Sequence, residues 1–163
     1  MPMKSKRVWL TSGLPGSGKS TWIEDQLNKR GGFWASRDAV RFSMVREDEP
    51  YFCREDEVFN EWIRQICEAL SNPLIEDIYI DATHLNDRSR EKTLSRLPKE
   101  NISKITNVVF MVPIEVCLER NRQRTGRAVV PDEVIQNMAK SFKLPKKYSV
   151  MIIDKDGEVK ANG

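Results

Sequence analysis

Gly13, Gly16, Gly18, Lys19 and Ser20 carry the spacing in this 163-residue chain that most directly implies chemistry. They lie in V-W-L-T-S-G-L-P-G-S-G-K-S-T (8–21), where Gly13 to Ser20 satisfies G-x-x-x-x-G-K-[ST] at every fixed position. Chance alone would produce that pattern in about one of 200 chains of this length. Glycine lets the backbone turn sharply and approach an anion without a Cβ in the way. The N–H groups around Ser17 to Ser20 would then converge on a phosphate at a helix N-terminus. Lys19 reads as the cation for the β/γ-phosphates of ATP and Ser20 as a hydroxyl ligand to Mg²⁺. Pro15 and Thr21 complete the stretch that would line the nucleotide.

Phosphoryl transfer also needs a base for the acceptor and cations for the transferring group. Asp38 and Asp81 each sit where an apolar run ends, and such positions gather beyond the carboxyl edge of a parallel sheet. Asp38, at the end of the second run, suits a general base toward an acceptor hydroxyl; an aspartate there equally suits a helix N-cap. Asp81 suits the indirect metal shell or the orientation of Asp38, or else a loop cap. His84 follows three residues later, either touching substrate or standing exposed in a loop. Arg120, Arg122, Arg124 and Arg127 surround Thr125-Gly126. They read as a basic lid over about 120–130 that closes on the phosphates, or as a solvated helix face. Arg120, Arg124 and Arg127 are the expected ATP contacts.

These residues need a scaffold of alternating strands and helices. Strands are expected at Arg7–Ser12, Phe33–Ser36, Asp77–Asp81, Ile105–Val112 and Val150–Ile153. Helices are expected from Lys19 to about Arg30, over Ala39–Val45, Glu55–Leu70, Arg88–Arg96, Pro113–Arg124 and Asp132–Phe142. Val58, Phe59, Trp62, Ile63, Ile66 and Leu70 recur at helical spacing and read as core. Trp22, Phe33 and Trp34 could stack on a base, but core packing is their ordinary role. The alternation predicts an α/β fold with a five-stranded parallel sheet. One domain over 1–163 is expected.

Composition sets the remaining bounds. A net charge of +3 does not by itself mark a nucleic-acid binder, although four arginines cluster within 119–127 and residues 47–57 are acidic. No apolar run reaches the ~20 residues of a membrane span. The basic start M-P-M-K-S-K-R runs straight into a strand, so no signal peptide is expected and the cytoplasm is the expected compartment. Cys53, Cys67 and Cys117 are too few and too scattered for a disulfide framework or a zinc site.

G-L-P-G-S-G-K-S-T-W (13–22), G-F-W-A-S-R-D-A-V-R (32–41), D-A-T-H-L-N (81–86) and the arginine segment with A-V-V-P (128–131) together resemble the kinase domain of phage-type 5′-hydroxyl polynucleotide kinases, a branch of the P-loop kinase superfamily. The resemblance spans about Val8 to Pro145 and is most specific in R-D-x-x-R at Arg37 to Arg41. It implies the P-loop kinase fold, with the five-stranded parallel sheet in the order 2-3-1-4-5 and helices on both faces, together with ATP and Mg²⁺, nucleic-acid 5′ ends as substrate, and action in a host cytoplasm if the chain is phage-encoded. It implies Asp38 as base, Arg41 on the phosphate 3′ of the terminal nucleotide, and Arg124 on the transferring phosphoryl. Arg37, Asp81, Thr83 and His84 would flank the acceptor. I-I-D-K-D-G-E (152–158) echoes the start of the phosphatase domain in bifunctional members, but Glu158 replaces a threonine, and no phosphatase activity is expected. Two other readings stay open: a kinase for a nucleoside, a modified DNA base hydroxyl or a small alcohol, and a non-catalytic ATP-binding switch or nucleic-acid-binding module.

Overall fold

A computed structural model describes residues 5–162; Met1–Lys4 and Gly163 lie outside the described residues. Strand β1 (Lys6–Ser12) feeds the glycine loop and helix α1 (Lys19–Arg30). Strand β2 (Phe33–Ser36) runs directly into α2 (Arg37–Met44), and α3 (Glu55–Ser71) precedes β3 (Asp77–Asp81) and α4 (Asp87–Leu94). After β4 (Ile102–Phe110) come α5 (Ile114–Arg122), a single 3-10 turn (Gly126–Ala128), α6 (Asp132–Ser141), β5 (Ser149–Ile153) and β6 (Val159–Asn162).

The sheet order is β2-β3-β1-β4-β5-β6, parallel throughout except that β6 returns antiparallel on β5. The expected five-strand order therefore holds, with one strand added at the edge. The sequence hid β6 because V-K-A-N is short and exposed along its length, with only Val159 and Ala161 apolar. Its presence makes Asp154–Glu158 the turn of a hairpin, with the Asp154 and Glu158 backbones bonded across it.

Helices cover both faces. On one, α3 lays Val58, Trp62, Ile63, Ile66 and Leu70 against Val8, Leu10, Ile78 and Ile80. On the other, Trp22 and Ile23 of α1 meet Tyr79, Val108, Phe110 and Ile153. A third cluster joins Leu14 of the glycine loop to Cys117 of α5 and Ile135 of α6. Each fully buried apolar side chain contributes roughly 1.5–3 kcal/mol, so the loop is seated on a core and not on solvent.

Register sets the geometry of the site. Ala35 pairs with Ile80 and Ser36 with Asp81, while Leu10 pairs with Ile80 on the other side. The carboxyl ends of β2, β3 and β1 thus lie side by side and deliver Asp38, Asp81 and the glycine loop to one edge. Trp62 Nε1 donates to the Ala35 carbonyl at 2.8 Å, tying α3 to β2 immediately before the turn into α2.

Candidate active site

The glycine loop is shaped by close approach. Gly16 has φ +81° and a Cβ there would stand 2.5 Å from the Cys117 carbonyl oxygen, so the loop can lie on α5 only with glycine at that position. Gly18, at φ +98°, occupies the N-cap of α1 with no side chain to cap the helix, and α1 has no acidic residue in its first turn. Its free N–H groups and dipole therefore face the loop as an anion site. The buried Ser17 hydroxyl has no hydrogen-bond partner among the described residues. Lys19 Nζ donates to the Gly13 and Leu14 carbonyls at 2.8 and 3.0 Å, folding the cation into the loop. Burial pushes the Lys19 pKa down, and Asp81 and Asp38 oppose that by favouring the charged form. A cradle of backbone donors, an unpaired hydroxyl and an ammonium held by carbonyls alone fits a phosphate chain.

On the β2 side of the cleft, the cap of α2 is Ser36, whose hydroxyl accepts from the Ala39 N–H at 3.1 Å. Asp38 is therefore released from capping, and its side chain, 63% exposed, faces the cleft. Asp81 is buried; Trp34 Nε1 donates to its Oδ2 at 3.0 Å and the Thr11 hydroxyl lies 3.4 Å from Oδ1. Burial raises the Asp81 pKa, with Lys19 pulling it back.

The structure brings the glycine loop, Lys19, Ser20, Thr21, Arg37, Asp38, Arg41, Asp81, Thr83, Arg120 and Arg124 around one cleft of about 1220 Å³. That exceeds the 300–1,000 Å³ usual for one small ligand and leaves room for two. Its walls also include Arg120 with the Asp154–Glu158 turn, and Phe42, Tyr51, Phe52 and Val129–Pro131. Arg120 bridges that turn to the glycine loop, donating to the Gly16 carbonyl at 3.3 Å and to the Lys155 carbonyl.

Three positions differ from expectation. His84 is neither exposed nor among the cleft residues. Its Nδ1 donates to the Thr11 carbonyl at 2.8 Å and its Nε2 accepts from the Thr93 hydroxyl at 3.0 Å, which pins the β3–α4 loop beneath β1. Arg127 turns away from the nucleotide end. Its guanidinium lies 4.7 Å over the Phe42 ring and donates to the Phe42 and Val45 carbonyls, at the C-terminal end of α2, where a cation is favoured. Arg41 lines the cleft but is only 7% exposed and already engaged. Nε and Nη2 donate to the two oxygens of Glu55 at 2.7 and 3.0 Å, and Nη1 donates to Asp38 Oδ1 and to the Tyr51 hydroxyl.

Glu55 and Tyr51 are thus parts of the site that residue-type reasoning passed over. Glu55 opens α3, whose apolar stripe reads as pure core, and it also takes a bond from Arg37 at 3.1 Å. Burial acts to raise its pKa, but the two arginines outweigh this and hold it below the ordinary carboxylate value. The acidic run 47–57 facing R-D-x-x-R was the available signal. Trp34 packs against the core as expected and in addition gives its indole N–H to Asp81.

Residues 8–145 match the AAA domain family. Among solved structures, a sugar kinase from Janibacter sp. HTCC2649 is 20% identical with a TM-score of 0.64, over 94% of this chain and 87% of that one. A gluconokinase from Sinorhizobium meliloti 1021 is 20% identical with a TM-score of 0.60, over 94% and 84%. A chain of the Pnkp1/Rnl/Hen1 RNA repair complex is 22% identical with a TM-score of 0.70, over 86% of this chain but 45% of that one. At such identities the likeness is one of fold, a P-loop kinase fold. No helix among the described residues is long and apolar enough to cross a membrane. With its match running from the first strand through α6, the chain belongs to the AAA domain family.

Proposed function

We propose that this protein transfers the γ-phosphoryl group of ATP to the 5′-hydroxyl end of DNA or RNA. One observation carries the transfer chemistry: Asp38, relieved of helix capping by Ser36, shares a cleft with the Gly13–Ser20 loop and Lys19. The acceptor hydroxyl would give its proton to the Asp38 carboxylate as its oxygen bonds to the γ-phosphorus. The bond from that phosphorus to the bridging oxygen breaks, and ADP leaves. Lys19 and an inward-turned Arg124 would meet the charge on the transferring group, with the segment from Arg120 to Val130 serving as the lid. The Ser20 hydroxyl would hold Mg²⁺, which neutralises phosphate charge when bound. A single kinase unit acting in the cytoplasm is part of this reading.

The polynucleotide acceptor is supported by R-D-x-x-R at Arg37–Arg41, by the fold shared with a chain of the Pnkp1/Rnl/Hen1 RNA repair complex, and by the aromatic walls of the acceptor half. Tyr51 and Phe52 are 4.6 Å apart, edge to face, with Phe52 exposed, a surface on which a base can stack. A second reading, a nucleoside or small-alcohol kinase, draws on the full engagement of Arg41 with Glu55: an acceptor phosphate would have to exchange with that carboxylate. The test is an acceptor panel with γ-labelled ATP and Mg²⁺. Label on a 5′-hydroxyl oligonucleotide but not on nucleosides or sugars is expected. Label confined to nucleosides or sugars would establish the second reading, and ATP binding without transfer to any acceptor would mark a non-catalytic binder.

A further inference from the structure

Asp38 is more than half exposed, so packing alone does not hold its carboxylate in one orientation. What holds it is hydrogen bonding on a single oxygen. Oδ1 accepts from Arg41 Nη1 and, at 3.0 Å, from the Tyr51 hydroxyl, whereas Oδ2 accepts nothing from the described residues. The Tyr51 hydroxyl in turn accepts from Arg41 Nη1 at 3.2 Å, which directs its one proton to Asp38. The ring is itself fixed: the Arg41 guanidinium lies 4.7 Å over it and Phe42 meets it edge to face at 6.2 Å.

We propose that Tyr51 is a positioning residue for the acceptor: with Arg41 it saturates Asp38 Oδ1, leaving Oδ2 as the one carboxylate oxygen free to receive the acceptor proton. The assignment rests on the reading of Asp38 as base and is independent of whether the alcohol belongs to a nucleic acid or a small molecule. Two donors on one oxygen fix both side-chain torsions of an aspartate that would otherwise sample several rotamers, and small misplacements of a base are costly in rate. Burial, followed by the charge of Asp38, pushes the Tyr51 phenol up to about 12, so it stays a donor throughout the neutral range. Tyr51 lies on the short segment between α2 and α3, outside both helices, and anchoring it requires Arg41, which Glu55 holds from the opposite side. This gives Arg41 a use within the protein: it is the hub through which Glu55, Tyr51 and Asp38 keep one another in place.

The test is Tyr51→Phe, which deletes the hydroxyl and keeps the ring over Arg41. With the acceptor that the parent protein phosphorylates best, kcat is expected to fall about ten- to a hundredfold, while KM for ATP and the thermal midpoint stay at parental values. Adding Glu55→Gln should lower kcat in the same direction, again with KM for ATP unchanged, because it loosens Arg41 and through it Asp38. A Tyr51→Phe kcat within twofold of an active parent overturns the assignment. So does a loss of kcat matched by weaker ATP binding or a lowered midpoint, since that is the signature of general destabilisation. If Tyr51→Phe does not fold, the Glu55→Gln result decides by the same criteria. A parent inactive on every alcohol overturns the kinase reading and this assignment with it.

Discussion

His84 shows how one side chain can carry structure where chemistry was expected of it. It is the chain's single histidine and is buried with both ring nitrogens bonded, and burial pushes its pKa down to about 3. In the unfolded chain an ordinary histidine takes up a proton near pH 6.5. Between that value and about 3 the unfolded state therefore binds a proton that the folded state refuses, so stability falls as pH falls. The slope is at most about 1.4 kcal/mol per pH unit. The thermal midpoint is expected to drop between pH 7 and pH 5, above the range where carboxylates dominate. In His84→Asn that drop should largely vanish, because asparagine tolerates the positive φ of 39° found here and can donate to the Thr11 carbonyl. An unchanged pH slope in His84→Asn would contradict the assignment. The sequence marked His84 as a loop residue beside a candidate carboxylate. Nothing local reveals that the loop folds back under β1, since Thr11 is 73 positions away.

At the scale of elements, the glycine loop was legible almost completely, because its geometry is forced by local backbone and a fixed register of residue types. The arginine segment after α5 was legible only in part. Four arginines near a glycine predict a basic segment, but their targets depend on tertiary neighbours: Arg120 goes to the loop and the β5–β6 turn, whereas Arg127 caps α2. The cluster at α2 was least legible, since Asp38, Arg41, Tyr51 and Glu55 come from two helices and the segment between them, and their pairing is set by how α2 packs on α3. The contact of loop with α5 carries its own prediction. Gly16→Ala places a methyl 2.5 Å from a backbone oxygen that cannot move without shifting α5, and does so at a φ of +81°. It should cost about 1–3 kcal/mol of stability and weaken ATP binding, read by thermal denaturation and nucleotide titration. Parental stability and affinity in Gly16→Ala would show that the loop is not seated on α5.

Across the whole molecule, the parallel α/β class followed from strands alternating with helices and the strand order from the family resemblance, while β6 escaped because an exposed edge strand needs no hydrophobic signature. That edge hairpin matters, since its turn lines the cleft. A cleft lined from α1, α2, α5, α6, the ends of β2 and β3 and the β5–β6 turn ties ligand occupancy to the stability of the entire fold. Saturating ATP and Mg²⁺, at 100 times the dissociation constant, should add about 2.7 kcal/mol. For a chain of this size that raises the thermal midpoint by roughly 5–10 °C. Lys19→Ala should abolish the rise, and a parent protein whose midpoint ignores ATP would contradict a nucleotide site at the loop.

The base at Asp38 is where the proposed transfer stands or falls. Single-turnover transfer of label from γ-labelled ATP to a 5′-hydroxyl oligonucleotide, comparing the parent with Asp38→Asn, measures it directly. The expected result is a transfer rate reduced about 10²–10⁴-fold in Asp38→Asn, with the ATP-induced rise in thermal midpoint retained. Transfer by Asp38→Asn at the parental rate would contradict the account.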